Sequence, residues 1–531
     1  MPNSESRGGF FIPDAQVGVW GEVPAAQDPS LSVPEEREGE VGHNCAIVGV
    51  RTRYRDPVTI AHTMLYDLQH RGHEGAGMVA ISDKYPNRIR KGMGWVKHVF
   101  DESDISYLRE TQPHIVVGQN RYSTQGTEAG EGNQPFEGGG LTLAHNGTIS
   151  NGEILKDLVL QKGLRGPIYS DSYLVHQWIL QQNAETWEER IAMAMGALEP
   201  SHSLILSGGG KLFGVRDYMG VRPLVIGELG EGKGHILASE TNVFQNTGAK
   251  MVREVEPGEG VMIDDDGIHT FFRDDRRKED NEALCAFEYD YISHVTGLLR
   301  GRSVYGVRKE LGSRLAERDQ EEGFMPDIVV PMQYSGLPYA AGYAKKIGAE
   351  IDFSIAANSY VGRVFIRPKG ENGDGRDVAS RRKHIGDPFS VEGKVVVVID
   401  DSIVRGNALE QIRFALTEPG KLMGVAPPRE IHLRSGAPPV IDLCPMGVDM
   451  AESVDELLAV VQNQDEKRIA ELKGFDSVKY NSNRAHVEAI TGEKFGEGIP
   501  DEQLYKEAGL CGGCFTGKYP VRTDQTLGKF E

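Results

Sequence analysis

Lys394-Val-Val-Val-Val-Ile-Asp-Asp-Ser-Ile-Val-Arg-Gly-Asn407 decides how this chain is read. A short apolar run ends in adjacent carboxylates, Asp400 and Asp401. A small polar loop, Ser402-Ile403-Val404-Arg405-Gly406-Asn407, follows, and then apolar residues at helical spacing, Leu409, Ile412 and Leu416. The order of buried strand, acidic pair, phosphate-sized loop and helix start predicts a ligand site beyond the carboxyl end of a parallel strand. Loop N–H groups and the helix N-terminus suit a phosphate. The two carboxylates suit ribose hydroxyls or a Mg²⁺ ion that travels with the ligand. An ordinary strand-to-helix turn with an acidic cap is the plainer reading of an isolated Asp-Asp. The whole fourteen-residue string is more specific than that.

A chain of 531 residues predicts more than one domain. A net charge of −20 argues against nucleic acid and against an anionic membrane surface. No apolar run approaches the length of a bilayer span, and the N-terminus lacks a secretory pattern, so a cytoplasmic enzyme is expected. Five cysteines, Cys45, Cys285, Cys444, Cys511 and Cys514, do not make a disulfide scaffold in so long a chain.

Residues 1–44 are rich in Pro, Glu, Gly and Ser and read as a disordered arm or removable leader. From Cys45 to about residue 265, strand-like segments such as Ile115–Gly118, Leu141–Ala144 and Ser203–Ser207 alternate with Gly-rich turns. Helical patterns near Ile60–His70 and Asp171–Gln182 interrupt them, which suits two packed sheets covered by helices. Ser207-Gly-Gly-Gly-Lys211 is expected to be a hairpin turn, not a nucleotide loop. The charged run Arg273–Asn281 marks a boundary, beyond which helix and strand alternate as in a parallel sheet. Gly370–Lys383 is expected to be a flap beside the ligand site. The expected organisation is a leader over 1–44, domains over 45–281 and 282–450, and a helical tail over 451–531 that ends in a Gly-rich loop with a Cys pair.

Cys45 alone would be taken for a buried small hydrophobe. Several later segments change that weighting: His70-Arg-Gly-His-Glu-Gly-Ala-Gly77, Gly118-Gln-Asn-Arg-Tyr-Ser-Thr124, Leu143-Ala-His-Asn-Gly147 and Ser170-Asp-Ser172, continuing to Ala238-Ser-Glu-Thr241. Together they resemble the class II glutamine amidotransferase domain, an N-terminal-nucleophile hydrolase with an αββα sandwich. With the Asp400-Asp401 loop, the whole chain resembles the amidophosphoribosyltransferase family, such a domain followed by a type I phosphoribosyltransferase parallel-sheet domain. The resemblance implies Cys45 as nucleophile and Asn146 with Gly147 N–H as oxyanion donors. It further implies glutamine held by Arg71, Arg121 and Asp171, with Arg71 expected near the nucleophile and a loop-bracing role as its plainer reading. A Cys freed at the N-terminus has its own base, an α-amino group with an unperturbed pKa near about 8. That chemistry requires cleavage between Asn44 and Cys45.

Cys511-Gly-Gly-Cys514 alone is ambiguous between a redox pair, a metal site and neither. Within Cys511-Gly-Gly-Cys-Phe-Thr-Gly-Lys-Tyr-Pro520 it resembles the iron–sulfur subclass of the family, whose other ligand positions fall on Cys285 and Cys444. The resemblance implies a 4Fe-4S cluster, with tetrahedral zinc as the chemical alternative. It also implies Ser335 and Arg363 at the phosphoribosyl site, Mg²⁺, glutamine and phosphoribosyl pyrophosphate as substrates, and a homotetramer.

The chain departs from the family in its second half. Ala357-Asn-Ser-Tyr360 stands where Lys-Asn-Arg-Tyr is usual, Ala408 replaces a Thr, and Ile292-Ser-His-Val-Thr296 replaces Ala-Arg-Pro-Asp-Ser. The expected function is synthesis of 5-phosphoribosylamine, the opening step of purine biosynthesis. The departures keep two others open: a paralogue passing ammonia to a different phosphorylated acceptor, and a non-catalytic ligand sensor.

Overall fold

The computed structural model describes residues 45–121, 132–164, 168–357, 384–451 and 453–522. The expected leader, Arg363, Ser359 and the 370–383 flap lie outside the described residues.

Strand Ala46–Arg51 sits inside a seven-stranded antiparallel sheet, between His235–Ala238 and Ile115–Arg121. A six-stranded antiparallel sheet, with Leu141–Gly147 and His202–Gly208 at its core, packs against it. The period-two pattern of the first strand explains the layering. Ala46, Val48 and Val50 face helix Pro57–Asp67 with Val58, Met64 and Leu65. Ile47 faces the other way, into the layer it shares with Val117, Ala144, Ile205 and Val261. Gly49 is needed there, because a Cβ would stand 2.8 Å from Ile205 Cγ2. The outer face of the second sheet buries Leu143, Leu204 and Phe213 against helices Gly152–Gln161, Asp171–Leu180 and Trp187–Met195. The result is helix, sheet, sheet, helix. Ser207–Lys211 is the hairpin turn that its glycines imply.

The second half holds a five-stranded parallel sheet. Its spatial order is Glu350–Ile351, Ile328–Pro331, Val395–Asp400, Glu430–Ser435, Ser477–Tyr480. Val397 and Ile399 pack toward helices Val304–Glu321 and Leu337–Ile347, and Val396 and Val398 toward helix Asn407–Met423. Burial on both faces accounts for the unbroken apolar run. The fifth strand, Ser477–Tyr480, comes from the segment expected to be a helical tail ending in a Gly-rich loop. Its four residues carry alternating Ser-Val-Lys-Tyr and no long apolar run, so it resembles a loop until it pairs with His432–Ser435.

Candidate active site

Numbered along the chain, the parallel strands lie in the order 2-1-3-4-5, so the connections reverse direction between Ile328–Pro331 and Val395–Asp400. A crevice beyond the carboxyl ends of such a strand pair is where doubly wound sheets bind ligands. Asp400 and Asp401 end one of these strands. Ser335 follows the other, and its hydroxyl lies close enough to the Asp401 carboxylate to stabilise its charged form. Asp401 also accepts from Ser402 Oγ at 2.7 Å. Burial pushes the Asp401 carboxyl above its ordinary range, although the Ser335 and Ser402 hydroxyls oppose the shift. Its backbone is pinned, with Ala437 N donating to Asp401 O at 2.7 Å and Gly436 N to Asp400 O at 2.9 Å. The loop Ser402–Gly406 closes on a left-handed Gly406, and helix Asn407–Met423 starts there. Gly406 also needs its small size, since a Cβ would lie 2.6 Å from Leu458 Cδ2. Arg405 Nε donates to Met450 O at 3.2 Å and pairs with Glu456 at 3.2 Å. Its side chain therefore ties the loop to the tail, leaving the loop's backbone to the ligand.

In the first half, Cys45 is half-buried and immediately precedes the inner strand Ala46–Arg51. Asn146 is fully buried, yet neither polar atom of its side chain has a hydrogen-bond partner among the described residues. A buried amide without a partner is costly, so this one is suited to a group arriving from outside. Gly147 has φ +136°, and a Cβ there would stand 2.3 Å from Ser201 O. Only glycine gives this backbone course. Asp171 opens its helix, and its carboxylate accepts from Ile149 N at 3.0 Å and Ser172 N at 2.7 Å. Lone pairs remain for an ammonium group. Arg121 ends its strand with Nη1 donating to Asn133 Oδ1 at 3.2 Å.

Arg71 corrects the expectation that it binds glutamine. Its guanidinium is fully buried; Nη1 reaches Glu240 at 2.6 Å and Glu288 at 2.9 Å, Nη2 reaches Glu288 at 2.8 Å, and Nε donates to Cys45 O at 3.3 Å. With its donors turned to these partners it is a brace for the nucleophile's residue. Burial opposes ionisation of Glu240 and Glu288. His70 and Arg71 overcome it at Glu240, Arg71 and Arg222 at Glu288, and both carboxyls lie below the usual range. The departing segment Ile292–Thr296 joins this junction: His294 N donates to Glu240 at 2.7 Å and Ser293 Oγ to Glu288 at 2.6 Å.

Asn133, Gln134, Glu240 and Glu288 were not singled out from the sequence. Gln134 holds the strand before Asn146, accepting from His145 N at 2.6 Å and donating to Ser172 Oγ at 3.0 Å. Glu240 and Glu288 lie 169 and 217 residues from Arg71 along the chain, and no local spacing announces such partners.

The remaining cysteines gather in the second half. Strands Leu284–Cys285 and Leu510–Cys511 pair in parallel with the two cysteines in register. Cys514 starts the next turn, and its carbonyl accepts from Ile441 N, three residues before Cys444. All four are free thiols within one another's electrostatic reach. Burial pushes the Cys285 thiol up to about 12, while the Arg222 guanidinium pulls the other way. Among the described residues no three His, Cys, Asp or Glu side chains converge on a single-ion position.

The fold and these groups define a class: a nucleophile-bearing glutamine amidotransferase sandwich joined to a phosphoribosyltransferase-like sheet. A sequence model described as a glutamine amidotransferase domain matches residues 119–246. The amidophosphoribosyltransferase of Drosophila melanogaster is 34% identical, covering 93% of this chain and 92% of its own. That of Mycobacterium tuberculosis is 32% identical, covering 93% and 90%. The solved glutamine phosphoribosylpyrophosphate amidotransferase of B. subtilis, complexed with ADP and GMP, superposes with a TM-score of 0.78 at 30% identity, covering 91% of this chain and 99% of that one. The chain belongs to the amidophosphoribosyltransferase family.

Proposed function

We propose that this enzyme hydrolyses glutamine at Cys45 and delivers the ammonia to phosphoribosyl pyrophosphate held over Asp400–Asn407. The Cys45 sulfur attacks the side-chain amide carbon, and the cysteine's α-amino group takes the thiol proton and passes it to the leaving ammonia. Asn146 and the Gly147 N–H carry the oxyanion. Arg121 and Asp171 hold the carboxylate and ammonium of the substrate. Water then hydrolyses the thioester to glutamate. In the crevice, ammonia bonds to ribose C1 as pyrophosphate leaves, giving 5-phosphoribosylamine. Asp400, Asp401 and Ser335 would hold the ribose hydroxyls and Mg²⁺, which supplies charge neutralisation on the leaving pyrophosphate. Residues 402–407 would hold the 5-phosphate.

One observation carries this reading: the residue of the nucleophile is tied to the transferase half through Arg71 and Glu288. Removal of the leader before Cys45 is part of the proposal, as are a cytoplasmic setting and a homo-oligomer. So is a 4Fe-4S cluster on Cys285, Cys444, Cys511 and Cys514. Four thiols within one another's electrostatic reach supply the donor set a cubane takes, with tetrahedral zinc as the chemical alternative. Arg222 beside Cys285 and Cys444 complements the negative charge of a thiolate-bound cluster. Bound, it would supply a structural cross-link between the transferase sheet and the tail.

The test follows glutamate, pyrophosphate and ribose products from anaerobically prepared protein, with and without phosphoribosyl pyrophosphate. Glutamate and pyrophosphate rising together is expected. Glutamate without pyrophosphate would favour the second reading, a different phosphorylated acceptor, to which Ala408 at the start of the phosphate-loop helix already points.

A further inference from the structure

The oxyanion loop is closed from behind by the second domain. Thr148 and Ser201 exchange backbone bonds, Thr148 N to Ser201 O at 3.0 Å and Ser201 N to Thr148 O at 2.9 Å. Asn146 and Gly147 extend this pairing against Ser203 and His202. Ser201, fully buried, donates its hydroxyl to Met446 O at 2.7 Å. Arg222 Nη2 donates to the same carbonyl at 2.7 Å, and its Nη1 reaches Glu288 at 3.4 Å. The next residue, Gly447, has φ +99° and lies so close that a Cβ would stand 2.8 Å from Thr148 Oγ1 and 3.1 Å from the Gly147 carbonyl carbon. A single carbonyl of the segment Cys444–Gly447 thus clamps Ser201 and Arg222, and the following glycine backs the two residues that continue the oxyanion strand.

We infer that Ser201, Arg222 and the Met446–Gly447 backbone are positioning residues for the oxyanion donors Asn146 and Gly147, so that the glutaminase oxyanion hole is an interdomain structure. This inference rests on the glutaminase reading above. Its physical basis is that an oxyanion donor works only when held in place before charge develops. The Gly147 N–H has no side chain to hold it, and its orientation follows from what packs on either face. Ser201 O and Gly447 both lie against Gly147. Loss of the Ser201 hydroxyl unties Ser201 from Met446 O, which Arg222 still holds, and lets the loop drift, without touching the thiol or the groups that hold glutamine.

The test uses the mature, cluster-loaded protein that begins at Cys45, and two variants, Ser201→Ala and Gly447→Ala. For Ser201→Ala, kcat for glutamine hydrolysis should fall about tenfold with KM within about twofold, the pattern for an interaction made in the transition state. Affinity for glutamate γ-semialdehyde, whose adduct with Cys45 places an oxygen in the hole, should fall by a similar factor. Alkylation of Cys45 by iodoacetamide, which forms no oxyanion, should keep its wild-type rate. Synthesis from added ammonia, which bypasses the glutaminase, should also stay at the wild-type rate. Gly447→Ala should give the same signature with a larger fall. The inference is overturned if aldehyde affinity and kcat hold in both variants. It is also overturned if kcat, alkylation and ammonia-dependent synthesis fall together, since that pattern reports general loss of structure. A wild-type protein that hydrolyses no glutamine would overturn the proposed function itself, an outcome visible before any variant is made.

Discussion

Arg71 forks onto Glu288 with bonds of 2.9 and 2.8 Å, and the two residues belong to different domains. Both side chains are fully buried. Glu288 also meets Arg222 and Ser293, while Arg71 meets Glu240 and the Cys45 carbonyl. The junction holds two guanidinium groups and two carboxylates, and balances as a set. Such a set adds little beyond an apolar replacement when complete, and costs several kcal/mol when one member is removed.

Glu288→Ala should therefore destabilise the protein by about 3–5 kcal/mol, because buried Arg222 loses its carboxylate and Arg71 keeps only Glu240. Glutamine hydrolysis should fall with it, since the guanidinium that braces Cys45 is released. A denaturant titration and a glutamate assay at low temperature check the two effects separately. Wild-type stability in this variant would show that the junction is not a closed charge set.

Glu240 and Glu288 have depressed carboxyl pKa values in the folded protein. Their contribution is fully present above the unfolded glutamate value, about 4.3, and is lost as pH falls through the depressed folded values. Acid should thus weaken the domain junction. Thermal melts in steps from pH 7 to pH 3 should show a loss of stability below about pH 4.5 that Glu288→Ala lacks in part.

Asn146→Ala should lower kcat for glutamine hydrolysis by about 10²–10³, with KM little changed. The same substitution should leave the melting temperature unchanged or raise it, because it removes an amide that is buried without a partner. Glutaminase kinetics beside a thermal melt decide it. A large stability loss would mean that the amide is structurally engaged.

The sequence made the local features legible and left the long-range ones hidden. The Val395–Asp400 strand, its acidic end and the following helix were readable because their signals lie within fourteen contiguous residues. The apolar run over residues 46–50 is likewise short and continuous, and it forms a strand buried on both faces. The place of Arg71 near the nucleophile was readable by resemblance, but its carboxylate partners were not, since they lie 169 and 217 residues away. Nor was the strand Ser477–Tyr480, too short and too polar to be distinguished from loop before its neighbour is known. Ser335 lies between these cases. Its residue type was visible, but only the strand order brings it to Asp401.

Anaerobically purified protein should contain about four irons per chain and absorb broadly in the visible, as a cubane on four thiolates does. Substituting Ser for Cys285 should remove most of both signals, because its backbone is paired in register with Cys511 and its thiol lies within electrostatic reach of the other three. Iron analysis beside zinc analysis checks this. One equivalent of zinc with no iron would replace the cluster by a tetrahedral ion.

Asp401 stands opposite to the junction glutamates, because burial raises its carboxyl pKa in the folded protein. A raised acid destabilises the fold once pH passes the unfolded aspartate value, about 3.9, and does so fully above its folded value. Above that folded value the crevice therefore bears the cost of a buried negative charge, which a bound cation would relieve. Asp401→Asn should stabilise the ligand-free protein by on the order of 1 kcal/mol and raise its melting temperature by about 2 °C. The same variant should lose most phosphoribosyl transfer while glutamine hydrolysis without the second substrate persists. Millimolar Mg²⁺ with phosphoribosyl pyrophosphate should raise the wild-type melting temperature and leave that of Asp401→Asn almost unmoved. Calorimetry on the two proteins, with and without these additions, separates the outcomes. If the variant melts lower than the wild type when empty, Asp401 is a structural cap held by Ser335 and Ser402. If it melts higher and no longer responds to Mg²⁺, the charge is kept at a cost to stability because the ligand needs it.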